Sequence, residues 1–309
     1  MYSTNPHKYY LTGGNGFIGR HFQNYFSNNK IEYSSYDLPE FDLANINVVQ
    51  KLNFQVKPGV IIHAATSKLN SFTYSQDTFK NNVTMITGLL SRLEQNLTLV
   101  NLGSGSEFSR SNWNDDLREE QFGVVLPTTD HELSKYVVAK LIETSHLACN
   151  LRLFGIFGEH DSPVNKFISN CLAKCIIGLD IEIYKDRKMS FVYVQDLPRF
   201  LCAHSQELIE IGTLNFPGCS PISLTEIAMI CREVVGNSRI RIKVLNPGRA
   251  KSYVASQEKF NNYFEDFTWT PVELGIKKLM PWISEVLDDK TIQLVCRDQY
   301  LQEAKRKDV

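Results

Sequence analysis

No run of apolar residues in this chain approaches the roughly 18 needed to span a membrane, and the polar stretch from Met1 to Tyr10 lacks the apolar core of a signal peptide. Neither a membrane partner nor secretion is expected. Net charge is also lacking: 33 Lys+Arg against 34 Asp+Glu leave −1 over 309 residues. A protein built to hold nucleic acid would carry a basic excess, so no nucleic-acid partner is expected. The seven cysteines contain no CxxC pair, and their number is odd. Cys171 and Cys175 stand one helical turn apart inside an apolar pattern, which reads as reduced core thiols and a cytoplasmic location. The sequons at Asn82 and Asn96 are then idle. Internal repeats and low-complexity stretches are absent too, and 43% hydrophobic residues exclude a disordered chain.

What the chain does contain is alternation. Tyr9-Tyr10-Leu11, Glu32 to Tyr36, Gly59 to Ala65, Leu97 to Leu102 and Cys149 to Phe154 read as strands. Between them, Phe17 to Phe26, Asn81 to Gln95 and Ser134 to Leu147 have helical spacing. Strands alternating with helices of this length predict an α/β fold, a doubly wound parallel sheet of Rossmann type covered on both faces. The second half is broken by prolines and predicts a smaller C-terminal substrate domain. Its best-signed helix has a capping box at Ser223 and Glu226 and closes at Gly236.

The first chemical signal is Thr12-Gly-Gly-Asn-Gly-Phe-Ile-Gly19, which follows a short strand and opens a helix. Gly13 and Gly16, with Phe17 and Ile18, let backbone N–H groups approach a pyrophosphate at a helix N-terminus, and Gly19 permits close helix–strand packing. Asp37 lies 18 residues after Gly19, at the end of the second strand. A carboxylate there accepts from both ribose hydroxyls and repels a 2′-phosphate, so the expected cofactor is NAD rather than NADP.

With these residues in view, the chain resembles an extended short-chain dehydrogenase/reductase of the NAD-dependent epimerase/dehydratase kind, which modifies nucleotide-activated sugars. Thr12 to Gly19 matches its TGxxGxxG. Asp42-Leu43 matches its adenine-contacting pair, and Val60-Ile-Ile-His-Ala64-Ala65 the strand that borders the nicotinamide ribose. Asn82-Val83 through Gly88-Leu89-Leu90 matches its NVxGTxxLL helix. Arg152-Leu-Phe-Gly-Ile-Phe-Gly158, Phe191-Val-Tyr-Val-Gln-Asp196 and Leu214-Asn-Phe216 match later motifs, with Gly155 in place of an Asn. The resemblance covers almost the whole chain in order.

It implies a catalytic Ser or Thr, a Tyr and a Lys, with the lysine lowering the tyrosine's pKa so that the phenol exchanges a proton with a sugar hydroxyl. Ser104 matches the serine. Two frames compete for the other pair. Tyr136-Val-Val-Ala-Lys140 fits Y-x-x-x-K with both side chains on one helix face. His131-Glu-Leu-Ser-Lys135 fits the Y-x-x-S-K frame with histidine replacing tyrosine, and Pro127 precedes it by four residues, as a proline often does in this family. From Lys140 only 11 residues intervene before Arg152, and from Lys135 there are 16. After a strand and a turn, the shorter span leaves a helix of about 7 Å at 1.5 Å per residue, against a sheet crossing of about 17 Å. Geometry therefore favours His131 and Lys135, with Tyr136 and Lys140 as the alternative. Imidazole titrates near neutrality unaided, but its reach is shorter than a phenol's.

Within the family, 4,6-dehydratases follow the Ser/Thr with Asp-Glu, where Gly105 and Ser106 stand here. Members that epimerise the ring at C3 and C5 carry a Cys at Ser106 and a His near Lys166. The resemblance therefore implies redox chemistry at one carbon, expected at C4, by reduction or epimerisation of a nucleoside-diphosphate sugar for surface polysaccharide. A cofactor-binding homologue with impaired catalysis, acting as partner or sensor, is the alternative. Asn165-Lys166-Phe167 resembles the segment that holds the diphosphate, and Arg187 or Lys188 stands in for a missing arginine. His160 and Asp161 read as a polar loop rather than a metal pair, so no metal is expected. The expected organisation is a cofactor domain over 1–155 and a substrate domain over 156–309, with segments near 190–216 returning to the first. The resemblance also implies a homodimer.

Overall fold

Short apolar runs become strands, and the amphipathic stretches between them become the helices that cover those strands. The computed structural model describes residues 8–54, 58–67, 77–248 and 250–306, so Met1 to His7, read above for a leader, lie outside it. The first half runs β1 (Lys8–Thr12), α1 (Phe17–Asn28), β2 (Tyr33–Tyr36), α2 (Ile46–Gln50) and β3 (Gly59–His63). It continues with α3 (Thr78–Leu90), β4 (Leu97–Ser104), α4 (Asp130–Ile142) and β5 (Ala148–Leu153). There follow β6 (Gly155–Phe157), α5 (Phe167–Ile177), β7 (Ile181–Ile183), β8 (Lys188–Met189), β9 (Phe191–Tyr193), α6 (Asp196–Ile211) and β10 (Thr213–Phe216). The last elements are β11 (Ile222–Ser223), α7 (Leu224–Val235), β12 (Ile242–Val244), α8 (Glu258–Phe264), α9 (Val272–Val286), α10 (Asp289–Cys296) and α11 (Gln299–Arg306).

Six strands form one sheet in the order β10-β5-β4-β3-β1-β2, and all five pairings are parallel. This is the expected Rossmann-type sheet. Successive side chains of a strand leave on opposite faces, so each strand feeds two cores. Leu11, Val60, Ile62, Val100 and Leu151 pack on one face with Phe22 of α1 and Phe200 of α6. Tyr10, Ile61 and Leu99 pack on the other face with Val49 of α2, Ile86 of α3 and Val138 of α4. A third core joins Phe157, Phe167, Ile181, Phe191, Leu224, Ile276 and Val295 from the elements that follow β5. Strand β10 lies in the main sheet beside β5, so the chain returns there after visiting the third core.

Two helices differ from the spacing at both ends. The expected Asn81–Gln95 helix is α3, starting at Thr78 and ending at Leu90. The expected Ser134–Leu147 helix is α4, starting at Asp130 and ending at Ile142. Apolar periodicity marks the middle of a helix; caps mark its ends. Thr129 caps α4 by accepting the Glu132 N–H at 3.4 Å, and Thr144 N–H to Leu141 O at 3.2 Å begins the turn that leads into β5. The capping box at Ser223 and Glu226 and the left-handed Gly236 bound α7 as expected.

Candidate active site

Strand order reverses between β1 and β3, and ligands of open α/β sheets bind at such a switch, outside the carboxyl ends of the strands. A cavity of about 800 Å³ opens there. Its floor is the Gly13–Gly19 loop. Gly13 sits at φ +76°, where a Cβ would meet the Ala65 backbone N at 2.6 Å; on Gly19 it would meet the Gly13 carbonyl O at 2.1 Å. Only glycine lets this loop lie against the end of β3 and against its own helix. Gly16 is the N-cap of α1, no side chain caps that helix, and its first turn is free of acidic residues. The opening N–H groups and the helix dipole thus remain for an anion.

Asp37, just past β2, lies on the same cavity. One carboxylate oxygen accepts the Asn15 N–H at 3.1 Å and the other accepts the Ser35 hydroxyl at 2.6 Å. Asp42, Leu43, Ala64, Ala65, Phe17 and Ile18 also line it. Asn82 does not: it is buried under the wall, where it accepts the Ser67 N–H at 2.8 Å and donates to the Ser134 hydroxyl at 3.0 Å. Its place is to clamp the loop after β3 onto α4. Glycine cradle, uncapped helix and carboxylate together fit a dinucleotide.

Ser104 ends β4 on the wall of the cavity. Its hydroxyl oxygen accepts from the Ser106 N–H at 3.1 Å and from the Ser106 hydroxyl at 2.9 Å. Beneath it Glu107 accepts the Ser104 N–H at 2.8 Å. His131 and Lys135, one turn apart on α4, face the cavity with Ser104. Burial pushes the Lys135 ammonium below its ordinary pKa, and the Glu107 carboxylate opposes the drop. Tyr136 and Lys140 are elsewhere on the helix. The Tyr136 ring packs on Phe122 at 4.9 Å, and the Lys140 ammonium lies over Phe122 at 4.5 Å while pairing with Glu143 at 2.9 Å.

At the far end of the cavity stand Asn165, Lys166 and Phe167, at the start of α5, with Tyr300 of α11. Arg187 and Lys188 are not on its lining: Arg187 lies over the Trp113 ring at 5.8 Å, and Lys188 is exposed in β8.

Two residues were not singled out from sequence. His63, buried at the end of β3, is hydrogen-bonded through Nδ1 to the Thr12 hydroxyl at 2.7 Å. Burial first, and then the Lys135 charge, push its imidazole down to about 3. Tyr253 lines the cavity from a remote segment, and its hydroxyl lies against Gly105, the residue after Ser104. Neither has a spacing that would mark it: His63 sits inside a strand motif, and Tyr253 is isolated.

Residues 9–212 match the sequence profile of the NAD dependent epimerase/dehydratase family. No curated protein matches the chain. Among solved structures it is similar to a GDP-L-fucose synthetase from Naegleria fowleri, with TM-score 0.76 and 17% identity over 93% of this chain and 96% of the other. It is similar to UDP-glucose 4-epimerase from Thermus thermophilus in complex with NAD, with TM-score 0.71 and 16% identity over 91% of this chain and 100% of that one. The likeness extends to dTDP-glucose 4,6-dehydratase from Bacillus anthracis in complex with NAD, with TM-score 0.72 and 17% identity over 91% and 97% of the two chains.

Proposed function

This chain belongs to the NAD dependent epimerase/dehydratase family, and from that premise we propose that it is a nicotinamide-dependent oxidoreductase or epimerase acting at one carbon, C4, of a nucleoside-diphosphate sugar. The observation that carries the reading is that Ser104, His131 and Lys135 share one cavity with the glycine loop at one end and Asn165-Lys166 at the other. Similar solved enzymes are named for GDP-, UDP- and dTDP-linked sugars.

A nicotinamide held in this cavity would supply or accept the hydride. The Ser104 hydroxyl holds the reacting oxygen, and the His131 imidazole moves a proton. Lys135 holds the nicotinamide ribose, and Lys166 meets the sugar diphosphate as a point charge. Asp37, inside the cavity, supports NAD over NADP by repelling a 2′-phosphate. Gly105 and Ser106 leave no carboxylate pair beside Ser104, which disfavours dehydration. All seven cysteines are unpaired thiols, in keeping with a reducing compartment. Exposed Val124, Val125 and Leu126 just before α4 support a homodimer through α3 and α4.

One observation favours a second reading. Histidine stands where the family resemblance implies tyrosine, as in a cofactor-binding homologue with little chemistry. Incubation with NAD(H) or NADP(H) and a panel of 4-keto and 4-hydroxy nucleotide sugars separates the two. Turnover is expected, lost in His131→Ala and kept in Tyr136→Phe. Bound cofactor without turnover across the panel decides for the second reading, and loss only in Tyr136→Phe sinks the frame.

A further inference from the structure

His131 stands where the family resemblance implies a tyrosine, so α4 brings no phenol to Ser104. Tyr253 brings one from the segment between β12 and α8. Its N–H donates to the Lys188 carbonyl at 2.9 Å, and its carbonyl accepts the Ser190 N–H at 3.1 Å, which fixes the backbone against β8. The ring is held between Trp113 at 4.4 Å and Phe154 at 4.8 Å. Its hydroxyl lies against Gly105, the residue after Ser104, and Tyr253 lines the common cavity with Ser104. Gly105 makes the room: a Cβ there would stand 2.2 Å from the Tyr253 hydroxyl oxygen. The position that carries Asp in the dehydratases is thus filled, from outside, by a phenol. Ser104 already accepts two hydrogen bonds from Ser106, so its own proton is left for Tyr253 or for a substrate oxygen.

We propose that Tyr253 is a catalytic residue of this site, the phenolic acid that meets the reacting oxygen beside Ser104 in place of the tyrosine lost at position 131. The proposal rests on the nucleotide-sugar reading above and adds its proton donor. In reduction, the carbonyl carbon gains a C–H bond from the dihydronicotinamide, which is left oxidised. The carbonyl oxygen takes the Tyr253 proton, and the phenolate regains one from solvent by way of the His131 imidazole, which lines the same cavity. Burial pushes the Tyr253 phenol above its ordinary value, with the Ser104 side chain opposing. Tyr253 therefore enters the step protonated, as a proton donor must.

Tyr253→Phe keeps the ring between Trp113 and Phe154 and removes only the hydroxyl. With a 4-keto nucleoside-diphosphate sugar and reduced cofactor, its kcat is expected to fall about 100-fold or more. KM, and cofactor affinity read by fluorescence quenching, should hardly move. Gly105→Ala, whose Cβ would stand 2.2 Å from the Tyr253 hydroxyl oxygen and 2.7 Å from the ring carbon that bears it, displaces the phenol and should also lower kcat. A Tyr253→Phe enzyme with near wild-type kcat, or a loss confined to KM, overturns the proposal and leaves the functional reading standing. A wild type that binds cofactor but turns over no sugar in the panel overturns both.

Discussion

Glu107 and Arg152 form an ion pair, carboxylate oxygen to Nε at 2.5 Å, in which neither side chain is more than 1% exposed. The same carboxylate accepts from Asn150 at 2.8 Å and, through its other oxygen, from the Ser104 N–H. The guanidinium completes its surroundings by lying over Phe122 at 4.1 Å and Phe108 at 5.2 Å. Its two terminal nitrogens find no hydrogen-bond partner among the described residues. The pair therefore acts as the footing of Ser104, joining β4 to β5 beneath the cavity.

Removing one partner leaves the other charge buried and uncompensated, which costs about 3–5 kcal/mol. Arg152→Met is expected to lose stability on that scale in urea unfolding at neutral pH. Adding Glu107→Gln to it should restore much of the loss, because the uncompensated charge is then gone. Equal losses in the single and double variants would contradict this account.

The glycine loop gives a prediction about binding rather than stability. Gly13 lies at φ +76° against the Ala65 backbone. A left-handed backbone costs an alanine about 1–2 kcal/mol, and the clash at Ala65 forces the loop outward. Gly13→Ala should bind NAD at least about tenfold more weakly by calorimetry, with helical content unchanged. Unaltered affinity would mean that the loop does not carry the pyrophosphate.

Much of this site was legible in sequence because it is local. The glycine loop, Asp37 and the strand ends each lie within a few residues of a glycine or a strand terminus that marks them. The length a helix needs to cross the sheet pointed to His131 and Lys135 over Tyr136 and Lys140, and it is His131 and Lys135 that α4 brings to the cavity. Tyr253 was not legible. Its place beside Ser104 depends on how a remote loop folds back over Gly105, and no periodicity or spacing records that. Asn82 matched a motif, yet its side chain is spent on Ser67 and Ser134. A pattern names a residue; only packing says which way it faces.

Asp37 tests the cofactor preference. Its carboxylate lines the cavity while bonded to Asn15 and Ser35. Asp37→Ser removes the negative charge that opposes a 2′-phosphate and should raise NADP affinity relative to NAD. Binding of both cofactors, titrated at low and high salt, checks it; the gain should be larger at low salt, where the charge is less screened. A ratio that does not move would place the discrimination elsewhere.

His63 gives a prediction in pH. In the folded chain its imidazole is held at about 3 by burial and by Lys135, against about 6.5 when unfolded. Between those values the unfolded chain binds a proton that the folded chain refuses, so stability falls as the solution is acidified. The loss begins below about pH 6.5 and amounts to at most about 1.4 kcal/mol per pH unit for this one group. Above that range His63 is neutral in both states and contributes no slope. Carboxylates titrate in the same window, so the measurement is a difference: urea unfolding from pH 6 to pH 4 for wild type and for His63→Gln. The variant, unable to take up that proton, should show the shallower acid limb by about one proton. Lys135→Met should also flatten the limb, more weakly, because it removes only the second of the two causes. Equal slopes in wild type and His63→Gln would mean that His63 takes up its proton while folded, and that the end of β3 is wetter than its burial implies.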